Sequence, residues 1–349
     1  MNISIAIADS DKEYGRRLSE TLQQYKDLTI HIYTNLDKFQ RALREEHFDI
    51  VLFDPVFSDQ KMEFPGVKLP LCLYSDGATG VGLYPETAKI LKYQRISRLY
   101  KEMIREFADK VGYSANFDQS GNGVVLAVYS PIGGSGKTTV ALAIAARLSS
   151  LGKKVLFFSL EALDSSFSLN VEEENGIISL VEASENENTN FELKLKGIVK
   201  NGWNGMQYVD GFHRFSDYDA VTDAEIRRVL ELIRHCGLYE AVVIDLGSSL
   251  DKISKATLEY CDWIYIVEKP GALEQTKMKL FWQQAFVNVN CKKMARIYNF
   301  ADHSAVYSET PGIPQSGRIR DYGKSSLTEI LNSICKNNEI SLDLFLKEQ

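Results

Sequence analysis

Apolar and polar positions along this chain follow two periods in turn. Residues 3–8, ISIAIA, read as an alternating strand, and it ends in the acidic stretch Asp9-Ser10-Asp11. Tyr14, Leu18 and Leu22 then recur at helical spacing. Residues 28–33 predict a second strand, Leu36, Phe39 and Leu43 a second helix, and residues 48–53 a buried strand closed by Asp54. Such a rhythm implies a parallel sheet whose strand C-termini gather their acidic residues on one edge. Residues 106–123 lose the periodicity and turn polar and glycine-rich, which places a domain boundary at 113–121.

Beyond the boundary the rhythm resumes. Residues 124–129 (VVLAVY) read as a buried strand, residues 139–151 are rich in helix-favouring alanine and leucine, and Gly152 stops that helix before a strand at 155–158. Residues 171–217 are acidic and polar with short apolar runs, and predict a variable edge without chemistry. Thr222 and Glu225 fit a capping box; Ile226, Val229, Leu230 and Ile233 make one helical face, and Gly237 ends it. Residues 241–244 are a buried strand ending at Asp245. Further strands are predicted in CDWIYIVEKP, from Cys261, and in MARIYNF, from Met294, with a helix over 273–286 that puts Trp282 and Phe286 in the core. The expected fold is α/β: two doubly wound parallel-sheet domains, at 1–115 and 123–349, joined by a linker at 116–122.

Composition narrows the class. With 349 residues, 44% hydrophobic and 25% charged, the chain has material for two cores. A net charge of −7 argues against a protein whose main work is gripping nucleic acid. No apolar run reaches the length of a membrane span, and the opening MNISIAIADSD carries acid where a signal peptide would carry base, so a cytoplasmic chain is expected. The tail, with Asp343 and Glu348, lacks the basic amphipathic pattern of a membrane-surface helix, so no direct membrane insertion is expected. Five cysteines, without CxxC spacing, read as reduced thiols.

The stretch GGSGKTT, residues 133–139, carries the clearest chemistry. Gly133, Gly134 and Gly136 leave no Cβ between backbone and ligand, so successive N–H groups, with those of Ser135 and Thr139, can close on phosphate oxygens at a helix N-terminus. Lys137 adds a charge for the β/γ-phosphates, and the Thr138 hydroxyl suits Mg²⁺. Asp245, about a hundred residues on at the end of its buried strand, reads as the carboxylate that meets the same Mg²⁺.

These residues resemble the deviant Walker A ATPases, the family of MinD and ParA, whose loop reads KGGxGK[ST]. The family's signature lysine, which reaches across a dimer, is Ile132 here, and its D-x-D strand end is Ser159 and Glu161, with Asp164 a weaker candidate. The resemblance implies ATP and Mg²⁺ as cofactors and Lys137, Glu161 and Asp245 as catalytic residues. It also implies Gly247 in a switch, and Asn299 and Pro314 at the base. With Ile132 and Glu161 in place of the family's residues, weak or absent hydrolysis is expected. The N-terminal domain resembles a response-regulator receiver: Asp54 falls on the phospho-acceptor position, with Asp9, Ser75 and Lys92 around it, while Ser10 replaces the second acid of the pair.

Together, a degenerate receiver and a deviant Walker A domain resemble the CpaE/TadZ family of Flp (Tad) pilus assembly. That resemblance implies an ATP-stabilised homodimeric scaffold at the cell pole that contacts pilus machinery such as the secretion ATPase. A ParA-like DNA partition ATPase and a MinD/FlhG-like positioning ATPase are the alternatives.

Overall fold

The computed structural model describes residues 2–58, 60–75, 80–111, 123–164, 166, 176–284, 291–301, 307, 312–342 and 345. The chain divides into two compact units. One comprises Met1–Ser114 with Asn186–Ile198, the other Ala115–Glu185 with Val199–Gln349. The expected linker at 116–122, together with Phe286, Asp343 and Glu348, lies outside the described residues.

In the first unit the strands β1 (Ile3–Ala8), β2 (Leu28–Tyr33), β3 (Ile50–Phe53), β4 (Leu69–Tyr74) and β5 (Ala88–Leu91) form one sheet in the order β2-β1-β3-β4-β5. Every neighbouring pair is parallel. Asp11 caps α1 (Lys12–Leu22) by accepting the N–H groups of Glu13 and Tyr14, and Asn35 caps α2 (Leu36–Glu45) through Lys38. Ile5, Ile7, Ile50 and Leu71 meet Leu18, Leu99 and Phe107 on one face of the sheet; Ala6, Val51 and Phe53 meet Phe39 and Phe57 on the other. Alternation along the strands thus fills both cores. Where β3 runs to β4 and β4 to β5, the described residues contain single 3₁₀ turns, Pro55–Phe57 and Val81–Leu83, in place of crossover helices. The unit's own last helix, α3 (Ile96–Ala108), packs with α1 against the sheet.

The polar stretch 171–217 holds more structure than its composition suggested. It contains α5 (Gly176–Glu185), α6 (Phe191–Ile198), β8 (Lys200–Asn201), β9 (Gln207–Val209) and α7 (Phe215–Ala220). Of these, α6 belongs to the first unit. Its Leu193 enters the core with Met103 and Phe107, Asn190 N–H donates to Ala108 O at 3.0 Å, and Lys194 Nζ pairs with Asp109 at 2.8 Å. Gly197 lets the helix lie against α3, since a Cβ there would come within 3.2 Å of the Arg105 backbone.

The second unit is built on eight strands in the order β13-β12-β11-β6-β10-β7-β9-β8. They are β6 (Val124–Tyr129), β7 (Val155–Leu160), the β8–β9 pair, β10 (Ala241–Leu246), β11 (Trp263–Glu268), β12 (Met294–Tyr298) and β13 (Gln315–Arg318). The sheet departs from the expected all-parallel form at one edge, where β8 runs antiparallel to β9. Across it lie α4 (Lys137–Ser150), α8 (Asp223–His235), α9 (Lys252–Tyr260), α10 (Ala272–Trp282) and a last helix, Leu327–Asn337. The predicted capping box on α8 forms, with Thr222 and Glu225 each bonded to the other's backbone. In α10 the buried residues are Met278 and Phe281, whereas Trp282, expected in the core, is half-buried. Leu342 and Phe345 are buried in the core that α4 and the last helix share.

Candidate functional site

Two clusters of chemistry-bearing side chains stand at strand C-termini, one in each unit. In the second unit β6 delivers the chain to the glycine loop, and α4 begins at Lys137 directly after it. Gly136 caps that helix at φ +83°, where side chains are strained, and a Cβ on it would lie 2.2 Å from Asn299 Nδ2. Only glycine fits there. Gly134 is likewise left-handed, at φ +63°.

β10 lies beside β6 and brings Asp245 opposite Val128. Thr138 Oγ1 donates to Asp245 Oδ2 at 2.7 Å, which joins the loop to the strand. Asp245 is fully buried, and desolvation pushes its carboxyl up to about 8, against the lowering effect of the Thr138 hydrogen bond. Its other oxygen, Oδ1, has no hydrogen-bond partner among the described residues, and neither has the buried Ser135 Oγ in the loop. A buried acceptor left without a donor is costly unless a ligand or ion completes it. The donor set, one hydroxyl and one carboxylate at a helix N-terminus, suits a hard cation that keeps water and phosphate ligands, which is how Mg²⁺ is held. No group of three or more His, Cys, Asp or Glu is placed to form an all-protein metal cage among the described residues.

Lys137 is buried, and its Nζ donates to Ser248 Oγ at 2.9 Å, with Glu161 Oε1 at 3.8 Å. Ser248 in turn donates to Ile132 O, and its own carbonyl accepts the Tyr129 hydroxyl. The segment after β10, in which Gly247 stands, is thereby tied to the loop. Desolvation raises the Glu161 carboxyl, which Lys137 only partly offsets. Asp164 faces elsewhere: it accepts the Gly211 and Ser166 N–H groups and the Ser166 hydroxyl. Ile132 is turned inward, with 3% of its surface exposed.

Asn299 follows β12 and is brought onto the loop. Its Nδ2 donates to Ser135 O at 2.8 Å, and its Oδ1 accepts the Phe300 N–H. The amide expected to face a base is committed largely to loop backbone, with one Nδ2 hydrogen remaining. Pro314 stands just before β13, exposed, and its carbonyl accepts the Arg296 N–H. Sequence reasoning missed Ser248, whose only signal was its place three residues after Asp245.

In the first unit, Asp9, Asp54 and Lys92 meet as the strand order requires. Lys92 Nζ lies 2.7 Å from Asp9 Oδ2 and 2.5 Å from Asp54 Oδ2. Tyr14 stands 4.8 Å from the ammonium, ring centre to nitrogen, and Tyr93, at φ +23°, 5.6 Å. Burial alone would lower Lys92, but its hydrogen bonds to Asp54 and Asp9 outweigh that and raise it. Desolvation raises Asp9 despite the same partner. Ser75 follows β4, half-buried, and Asp11 is spent on capping α1 while its N–H donates to Asp9 Oδ1.

Residues 123–284 match the AAA domain family. Among solved structures, a ParA family ATPase from Chlorobium tepidum TLS is 19% identical, with a TM-score of 0.49, over 61% of this chain and 98% of its own. A putative plasmid partition protein from Borrelia burgdorferi B31, bound to AMPPNP, is 18% identical with a TM-score of 0.46, over 65% of this chain and 100% of its own. MinD from Pyrococcus horikoshii OT3, complexed with Mg-ADP, is 15% identical with a TM-score of 0.46, over 62% and 96%. No curated protein matches the chain. No helix among the described residues is long and apolar enough to cross a membrane.

Proposed function

We propose that the second unit binds ATP with Mg²⁺ on the loop of residues 133–139, and that the chain acts as a nucleotide-stabilised dimer. The observation that carries this is the Thr138–Asp245 contact at the N-terminus of α4, with Asp245 Oδ1 and Ser135 Oγ buried and without a hydrogen-bond partner among the described residues. The AAA domain match over the same residues supports it.

Thr138 and Asp245 would hold the metal, which supplies charge neutralisation of the phosphates when bound. Lys137 would exchange Ser248 for a phosphate oxygen, so nucleotide binding would release the segment after Asp245 from the loop. Glu161, a few ångströms from Lys137, is the acid available to orient a water. Ile132, buried, offers no cation to a second subunit. Weak turnover and a long-lived bound state follow. Ligand that binds one state stabilises it, so such a protein switches by exchange of nucleotide.

The coarser reading is a positioning ATPase of the ParA/MinD kind. The finer one is a polar, cytoplasmic assembly factor of the CpaE/TadZ type for Flp pili. It rests on the pairing of this site with a unit in which Asp54, Asp9 and Lys92 converge as in a degenerate receiver. In it Asp54 is the candidate phospho-acceptor.

The test is titration of the purified chain with a fluorescent ATP analogue and Mg²⁺, with mass measured by light scattering, beside Lys137→Ala. Tight binding that Lys137→Ala abolishes, with a doubling of mass, is expected. Binding indifferent to Lys137→Ala would remove the assignment of the site. Binding without a change of mass would remove the dimer. If the ATP-loaded chain holds a pilus secretion ATPase no better than the nucleotide-free chain, the pilus reading fails.

A further inference from the structure

Lys269 is the first residue after β11, on the sheet edge where the phosphate loop emerges from β6. Its Nζ lies 3.9 Å from the point where a Cβ on Gly134 would stand. Gly134 carries no side chain to shield that ammonium from the loop, and its left-handed backbone turns the loop there. Lys269 is held in place from behind. Glu274, in the first turn of α10, pairs with it at 3.4 Å, and the Lys269 carbonyl accepts the Gln275 Nε2 donor at 3.0 Å. Glu274 reaches this position because Gly271 leaves room: a Cβ there would lie 2.2 Å from Glu274 Oε2.

The charges around the loop call for a second cation. Lys137 already has Glu161 at 3.8 Å, and Asp245 stands beyond Thr138. A polyphosphate chain carries more negative charge than one lysine and one divalent ion neutralise, and it would do so next to these acids in a partly desolvated site. Lys269 is a lysine beside the loop whose counterion, Glu274, is partly exposed, with 27% of its side chain accessible.

Resting on the reading of the loop as a nucleotide site, we propose that Lys269 is a phosphate-binding residue, supplying in the same chain a second cation over Gly134 for the nucleotide's polyphosphate. Glu274 parks the ammonium until phosphate draws it away.

The experiment compares the wild type with Lys269→Gln, Lys269→Arg, Glu274→Gln and Lys137→Ala in titrations of a fluorescent ATP analogue with Mg²⁺, at two salt concentrations, with folding checked by thermal melts. Lys269→Gln is expected to weaken binding by about 10- to 100-fold, the weight of one charge-assisted hydrogen bond, with Lys269→Arg close to the wild type. Its affinity should also fall less steeply with salt. Glu274→Gln should bind as tightly as the wild type or more so, since it frees the ammonium. If Lys269 served only to pair with Glu274, the two glutamine variants would lose affinity together, and that result overturns the proposal. Wild-type binding with Lys137→Ala defective and Lys269→Gln unchanged overturns this proposal alone. No binding by the wild type overturns the nucleotide site and Lys269 with it.

Discussion

Thr138 Oγ1 donates a 2.7 Å hydrogen bond to Asp245 Oδ2, linking residues 107 positions apart at the point where the glycine loop becomes a helix. The bond satisfies one carboxyl oxygen and leaves the other buried without a hydrogen-bond partner among the described residues.

That arrangement makes stability depend on pH. Desolvation holds the Asp245 carboxyl up to about 8 in the folded chain, against an ordinary 3.8. Between those values the unfolded chain has lost the proton that the folded chain keeps, so stability declines as pH rises through the window. Thermal melts of the unliganded protein should show a lower midpoint near pH 8 than near pH 5, and Asp245→Asn should flatten the contribution. An unchanged slope in Asp245→Asn would assign the dependence to other groups.

Gly136→Ala should destabilise the fold by about 1–3 kcal/mol, because it adds left-handed strain to a collision with the Asn299 amide. Asn299→Ala removes the collision and leaves the strain. In a double-mutant cycle by urea unfolding, the pair should therefore cost less than the sum of its parts.

Ile132→Lys should lower the melting temperature, by about 1–3 kcal/mol in stability, since the side chain is buried and a lysine there must carry its amine out past the Ser248 contact. Ile132→Leu should be nearly neutral. Turnover measured on the same samples shows whether the displaced amine also raises hydrolysis, as a lysine directed to a partner subunit would.

Lys92→Ala leaves Asp9 and Asp54 facing each other, with Asp9 wholly buried. A loss of about 3–5 kcal/mol is expected, the usual result of removing one partner from a buried ion pair. The loss should shrink as pH falls and the buried Asp9, its carboxyl raised by desolvation, takes up its proton. Urea midpoints at two pH values check both points.

Leu193→Ala should cost about 2–5 kcal/mol and act on the first unit, whose core Leu193 enters beside Phe107 and Met103. A fragment of residues 1–115 should be less stable than the same unit in the whole chain, because it lacks α6. Equal protease resistance of fragment and intact unit would contradict this.

Much of this architecture can be read from local pattern. Strands ending in Asp9, Asp54 and Asp245 announce themselves by apolar runs closed by acid; the sheet of the first unit brings Asp9 and Asp54 to one edge, and that of the second sets Asp245 beside the phosphate loop. The phosphate loop is contiguous, so Gly136, Lys137 and Thr138 identify one another. What stayed hidden depends on contacts distant in sequence. Lys269 reads as an ordinary exposed charge until β11 is placed next to β6. Asn299 shows its bond to Ser135 O only once β12 delivers it to the loop. The acidic composition of 171–217 masked α6, whose buried apolar residues Phe191, Leu193 and Leu195 alternate like a strand's instead of recurring at helical spacing.

The excursion of residues 186–198 into the first unit also orders events at the ribosome. A unit made only of the first 114 residues would be free to finish folding as soon as it cleared the exit tunnel. Here its core stays open at the Leu193 position until about 80 more residues have been made, a delay of roughly 4–16 s at ordinary elongation rates. The phosphate loop is synthesised within that interval, so the N-terminal core closes only after that loop has been made and before its partner Asp245 has.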